Sequence, residues 1–314
     1  MDNRRGLYFL GDDGAYNQVL PLLESIRQAA PDVRVCCIAF TDRLERISQL
    51  ESRYNFSIIN DPTLAELDEI GMRLFDKMTG PVNRKLVGTF RKLYFFWGPL
   101  ERFFYTDADV LMFDGFAEFF KRVTADDAPT LGYAHDDVGQ VYLPGTLREQ
   151  MVNEYNTRAI NTGLFASKAE LFTLAQIREL AIKAEPIAHK FYHTLEQPFI
   201  NWMLDINRVE MKRFDTPGLE CAWSGDPRPM KASVVAGGGM RLQWPDGSRV
   251  PAIHFAGYGV RPRMPHYDVY RHFAIAALPY RERMRMYGRE FVHTPGILHA
   301  GRFGRRLVRR ILGR

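Results

Sequence analysis

Short runs of consecutive apolar residues alternate with helical-period patterns through the first third of the chain. "GLYFLG" (6–11), "VRVCCIAF" (33–40), "FSII" (56–59) and "FFYT" (103–106) read as strands. Between them, residues 15–30, 43–54, Leu64 to about Lys77 and about Lys85 to Trp97 carry apolar positions at helical spacing. Strands alternating with helices predict an α/β architecture with a largely parallel sheet, whose ligands gather at the carboxyl ends of its strands. The second half is less regular. "INTGLFASK" (160–168) reads as a strand with a polar, glycine-containing start, and "QPFINWML" (197–204) opens a helix. "MRLQWPDGSRVPAIHFAG" (240–257) places a Pro-Asp-Gly turn between extended runs, a hairpin signal, and 267–287 reads as helical. No repeat, low-complexity linker or composition break falls before about residue 270. The expectation is one catalytic-sized domain over 1–270 and a helical region over 271–314.

The 314 residues are 46% hydrophobic, enough for a substantial core. Cys36, Cys37 and Cys221 form neither a disulfide framework nor a zinc spacing, so they read as small core residues in a reducing compartment. The opening "MDNRRGLYFLGDDG" has an apolar stretch too short for a signal peptide or a membrane span. Net charge is +5, but "RFGRRLVRRILGR" (302–314) alone carries six arginines and no acid; without them the chain stands at −1. This is a near-neutral domain with a basic tail, which excludes a nucleic-acid-coating protein. At about 100° per residue, Phe303, Leu307, Val308, Ile311 and Leu312 share one half of a helix, opposite Arg305, Arg306, Arg309 and Arg310. That segregation suits an anionic membrane surface, where each arginine adds on the order of 1 kcal/mol. A peripheral location on the cytoplasmic face is therefore expected, with a solvated or partner-bound helix as the alternative.

"FFYTDADVLMFDG" (103–115) sets Asp107 and Asp109 at the end of a strand that should be buried. In an extended segment residues i and i+2 point the same way, so both carboxylates can face one ligand. Two anionic oxygens converging there suit a hard divalent cation, Mg²⁺ or Mn²⁺, that also bridges phosphates. An ordinary polar turn is the alternative, but apolar residues run up to Thr106 and resume at Val110, where unpaired charge is costly.

The stretch "FRKLYFFWGPLERFFYTDADVLMFDGFAEFF" (90–120) resembles the retaining nucleotide-sugar transferases of glycosyltransferase family 8, which includes glycogenins and bacterial lipopolysaccharide galactosyl- and glucosyltransferases. Four further stretches match in order over roughly residues 6–262: "FLGDDGAY" (9–16), "INTGLF" (160–165), "EQPFIN" (196–201) and "IHFAGYGVRP" (253–262). The resemblance implies the GT-A fold, a Rossmann-like, mostly parallel mixed sheet flanked by helices. It also implies that Asp12 or Asp13 contacts the base of a nucleotide and that Tyr16 stacks near it. Asn161 and Gly163 would line the donor sugar, and Gln197 would lie beneath its anomeric carbon. His254 would be the third metal ligand with Asp107 and Asp109, and Gly257 would admit the diphosphate. Lys92, with Arg91 beside it, matches the donor-contacting basic residue. Three departures stand out: Thr162 in the middle of the Asn-x-Gly segment, Glu196 where the family has aspartate, and Arg261 one residue beyond the usual lysine.

These residues imply metal-dependent transfer from a nucleotide diphosphate sugar, by resemblance a UDP-sugar with Mn²⁺, to a glycan or lipid-linked acceptor. By resemblance the anomeric configuration is retained. Gln197 suits front-face attack, while Glu196 leaves a covalent route open. The irregular polar-aromatic stretch 133–158 suits the border of an acceptor site. Two other readings stay open: a sugar-phosphate nucleotidyltransferase, disfavoured by the acidic "GDDGAY" turn, and a membrane-bound, non-enzymatic protein on a degenerate transferase scaffold.

Overall fold

Strand β1 (Arg5–Gly11) is buried along its length apart from Arg5. Its alternating side chains feed two cores, Leu7 and Phe9 on one face and Tyr8 and Leu10 on the other. The same period of two sends the adjacent Cys36 and Cys37 to opposite cores, and with Cys221 they are buried free thiols. This computed structural model describes residues 4–79, 83–193, 195–214, 216–235, 239–256 and 264–293, side chains of 289–293 excepted.

After β1 come α1 (Tyr16–Ala29), β2 (Arg34–Ala39), the short helices α2 (Glu45–Ser48) and α3 (Glu51–Tyr54), β3 (Phe56–Ile59) and α4 (Thr63–Phe75). A run of 3-10 turns, Arg84–Phe96, leads to β4 (Arg102–Thr106), β5 (Val110–Met112), α5 (Phe116–Val123), β6 (Leu131–Tyr133), α6 (Thr146–Asn153) and β7 (Leu164–Lys168). The chain continues through α7 (Leu174–Ala184), α8 (Gln197–Ile206), β8 (Met211–Arg213), β9 (Ala222–Trp223), β10 (Lys231–Val234), β11 (Met240–Gln243) and β12 (Ala252–His254). It ends in α9 (Tyr267–Ala277) and α10 (Tyr280–His293).

The main sheet has seven strands in the order β3-β2-β1-β4-β7-β6-β8. All run parallel except β7, which is antiparallel to both β4 and β6. Strand order reverses between β1 and β4, so a crevice opens at their carboxyl ends, at Gly11–Asp12 and Thr106–Asp107. A second sheet, β5-β12-β9, sits beyond β4; β12 is antiparallel to β5 and parallel to β9.

Several local expectations are corrected. The helix expected over 43–54 is two, because Asp13 accepts from the Arg46 and Ile47 amides and docks α2 separately, while Asn55 at φ 50° ends α3. The helix expected from Lys85 is 3-10 in geometry. The Pro-Asp-Gly turn does close a tight hairpin, with Trp244 and Ser248 bonded and Gln243 bridging Arg249. The strand partners are others, however: β11 pairs with β10, and β12 with β5 and β9. The helical stretch 267–287 breaks at Pro279 into α9 and α10. Helix α9 runs through residue 270, and Tyr270 donates to the Asn17 carbonyl of α1. No helix among the described residues is long and apolar enough to cross a membrane. Gly257, Arg261 and the tail 302–314 lie outside the described residues.

Candidate active site

A cleft of about 930 Å³ opens at the β1/β4 crevice, and Asp12, Lys92, Asp107, Asp109, Asn161, Gly163, Glu196, Gln197 and His254 all line it. Backbone pairing explains how distant segments meet. Asp107 and Asp109 lie in a tight turn between β4 and β5, not in a continuing strand, with the Val110 amide bonded to the Asp107 carbonyl. The β12–β5 ladder sets His254 opposite Val110, and the Phe255 amide bonds the Asp109 carbonyl. Antiparallel β7 brings Gly163 alongside, with its carbonyl accepting from the Asp107 amide.

Asp107, Asp109 and His254 each offer a ligand atom within 4.8 Å of the others. Asp107 Oδ1 is occupied, accepting from Tyr105 at 2.8 Å and Lys92 at 3.3 Å. His254 Nε2 lies 3.3 Å from Asp109 Oδ1, yet that oxygen and His254 Nδ1 are buried without a hydrogen-bond partner. Gly163 leaves room beside Asp107 and the His254 ring: a Cβ there would fall 2.3 Å from the His254 ring and 2.7 Å from Asp107 Oδ2. Three converging ligand atoms, an unpartnered carboxylate oxygen among them, next to a glycine that leaves room beside two of the residues fit a divalent cation. Burial pushes the Asp109 carboxyl up, but the facing His254 outweighs it and holds the acid below its ordinary range. Burial likewise pushes His254 down, and Asp109 outweighs it in the other direction.

The far wall is a buried network around Lys92. Its ammonium pairs with Glu196 at 2.5 Å and with Asp107, and stands 4.9 Å over the Tyr105 ring. Burial alone would lower its pKa; the two carboxylates reverse that. Thr162, the departure inside Asn-Thr-Gly, donates its hydroxyl to Glu196 and its amide to Gln197 Oε1. Asn201 brackets Ile160, donating to its carbonyl and accepting from its amide. The stretches at 160–165 and 196–201 therefore form one hydrogen-bonded unit. Burial pushes the Asp137 carboxyl up.

Other candidates occupy different places. Asp12 lines the cleft, yet its carboxylate is committed to the Gly14 and Ala15 amides, the Thr41 hydroxyl and Arg43. Asp13 is the cap of α2, and Tyr16 is buried with Arg46 3.8 Å from its ring centre; neither lines the cleft. Arg91 does not line it either, since its guanidinium forks onto Asp68 of α4 and bonds the Ala39 carbonyl. The cleft instead displays Arg43 and Lys85, solvated charges that no sequence pattern distinguishes. The roles of Thr162 and Asn201 were hidden because their partners are remote in sequence.

No protein-family model and no curated protein matches this chain. Solved structures do. The galactosyltransferase LgtC, in complex with donor and acceptor sugar analogs, aligns with a TM-score of 0.57 at 12% identity, over 88% of this chain and 99% of that one. An active-site mutant of LgtC gives 0.57 at 13% over the same shares. The apo bifunctional glycosyltransferase WbbM gives 0.54 at 14%, covering 92% of this chain, which spans only 52% of WbbM. The chain has the GT-A glycosyltransferase fold expected from its sequence.

Proposed function

We propose that this protein is a metal-dependent glycosyltransferase that moves a sugar, with retention, from a nucleotide diphosphate sugar, UDP-sugar first among them, to a glycan or lipid-linked acceptor. The observation that carries this reading is the meeting of Asp107, Asp109 and His254 around Gly163 at the strand-order reversal of a GT-A sheet. Held by those three residues, Mn²⁺ or Mg²⁺ would offset the negative charge that builds on a departing diphosphate. The chain's own groups do the rest. Lys92 fixes Asp107 and Glu196 in place, and Arg43 and Lys85 give the cleft rim its attraction for phosphate. Glu196 is tied to both Lys92 and Thr162, which blunts it as a nucleophile and favours front-face attack with Gln197 beneath the sugar.

The test is calorimetric titration of UDP and GDP, with Mn²⁺ and with chelator, into wild type and Asp109→Asn. UDP is expected to bind only with metal and only to the wild type, and transfer by the variant should fall about 10³-fold. Failure of both nucleotides to bind, or binding indifferent to metal and to Asp109, would favour the non-enzymatic reading. The proposal extends to location: the arginine-rich segment 302–314 would hold the enzyme on an anionic membrane surface. Equal flotation of the full chain and a chain ending at residue 301 with phosphatidylglycerol vesicles would refute that.

A further inference from the structure

Tyr105 is the last aromatic residue of β4, two positions before Asp107, and it is fully buried. Its ring stacks on Phe165 of β7, with 5.4 Å between centres and 28° between planes. Phe95 packs at 5.8 Å and the Lys92 ammonium stands 4.9 Å from the ring centre. A ring gripped by these neighbours has one place for its hydroxyl. A buried phenol needs an acceptor on any account. Here the acceptor is Asp107 Oδ1, at 2.8 Å, on one of the three candidate metal ligands.

Lys92 also reaches Oδ1, but at 3.3 Å, and it lies closer to Glu196, at 2.5 Å; Tyr105 is therefore the tighter hold on Asp107. Both donors land on the same oxygen. Oδ2 is the oxygen beside Gly163, where an added Cβ would fall 2.7 Å from it. The Asp107 side chain is 35% exposed and sits at a turn, so burial alone does not fix its carboxylate plane. A carboxylate free to rotate can offer a cation either oxygen or both, whereas one pinned through Oδ1 offers Oδ2 alone. We propose that Tyr105 is a positioning residue for the metal: its hydroxyl anchors Asp107 through Oδ1 and leaves Oδ2 as the single oxygen this residue gives the cation, alongside Asp109 and His254. The inference rests on the metal-dependent transfer reading and assigns a residue which that reading does not use. A one-oxygen contact leaves more of the cation's surface for the oxygens of a diphosphate. Hydrogen bonds made to a ligand rather than to the metal are worth about 10- to 100-fold in metal affinity.

Mn²⁺ titration followed by the electron spin resonance of the free ion tests this in wild type, Tyr105→Phe and Tyr142→Phe, each with and without UDP. Tyr142 is the matched control: it is a buried tyrosine that donates to Asp205 at 2.9 Å, and neither of those two residues lines the cleft. Tyr105→Phe should weaken Mn²⁺ binding about tenfold or more, while Tyr142→Phe should stay within about twofold of wild type. Metal-free urea unfolding should show similar losses in the two variants, because each keeps its ring and removes one buried hydrogen bond to a carboxylate. Binding by Tyr105→Phe within twofold of wild type overturns the proposal and leaves the metal reading standing. Equal weakening in Tyr142→Phe overturns it too, since the effect would then be one of general stability. A wild type that binds no Mn²⁺, with UDP or without, removes the metal reading and the proposal with it.

Discussion

Arg91 and Lys92 are consecutive, both buried, and both paired with acids, but the regions they serve differ in charge balance. Arg91 meets Asp68 through a forked contact, with exposed Asp42 at 3.5 Å as a minor partner. Cation and anion there are matched. On the next residue, one ammonium is shared between Glu196 and Asp107, and Asp109 sits in the same pocket with only His254 opposite. Three acids against one fixed cation leave an excess negative charge facing the cleft, and burying such an excess is costly. A matched pair closes a core; a mismatched cluster asks for something from outside. The second region is the place for chemistry, though both read alike as "Arg-Lys" in the sequence.

The largest effect that sharpens this contrast comes from removing each cation. Lys92→Met should destabilise the fold by about 3–5 kcal/mol in urea unfolding, since buried Glu196 loses its counter-ion. Arg91→Met should cost about 1–3 kcal/mol, because Asp68 keeps partial access to water. Equal losses would break the comparison. Next in size is the response to metal. At about 100 times its dissociation constant, Mn²⁺ should stabilise the wild type by about 2.7 kcal/mol. Gly163→Ala should show none of that gain, because its methyl group occupies the room beside Asp107 and His254. A full Mn²⁺ shift in that variant would place the cation elsewhere.

The smallest effect is the pH dependence of metal-free protein. His254 in the fold titrates above its ordinary 6.5, so its contribution to stability is complete below pH 6.5 and is lost as pH rises through the raised value. Asp109 titrates below its ordinary 3.8, so its contribution holds above pH 3.8 and is lost as pH falls through the depressed value. Metal-free stability should therefore decline as pH rises above about 6.5 and through the raised value of His254, and saturating Mn²⁺ should abolish the decline by taking the proton's place. A flat metal-free profile would mean that Asp109 and His254 do not interact as the geometry indicates.

Legibility from sequence followed the range of the interactions. Strands β1 to β4 and helices α1 and α4 were readable because apolar periodicity and turn residues act within a few positions. So was the cluster of Asp107, Asp109 and His254, through the order of its motifs. The roles of Arg91 and Asp13 were not, because a partner on α4 or at the start of α2 claims each side chain. Thr162 looked like a departure and proves to be the bond between two motif segments. The β12 pairing was equally hidden, since β5 and β9 come from far up the chain and from different turns.

The candidate ligands straddle a joint: Asp107 directly follows β4 of the seven-stranded sheet, whereas Asp109 directly precedes β5 and His254 ends β12, both strands of the small β5-β12-β9 sheet. A cation there is also a rivet between two mechanical parts. Chelation should therefore loosen the smaller sheet as a unit, seen as faster amide exchange along β12 and β9, while β1 and β2 keep their protection.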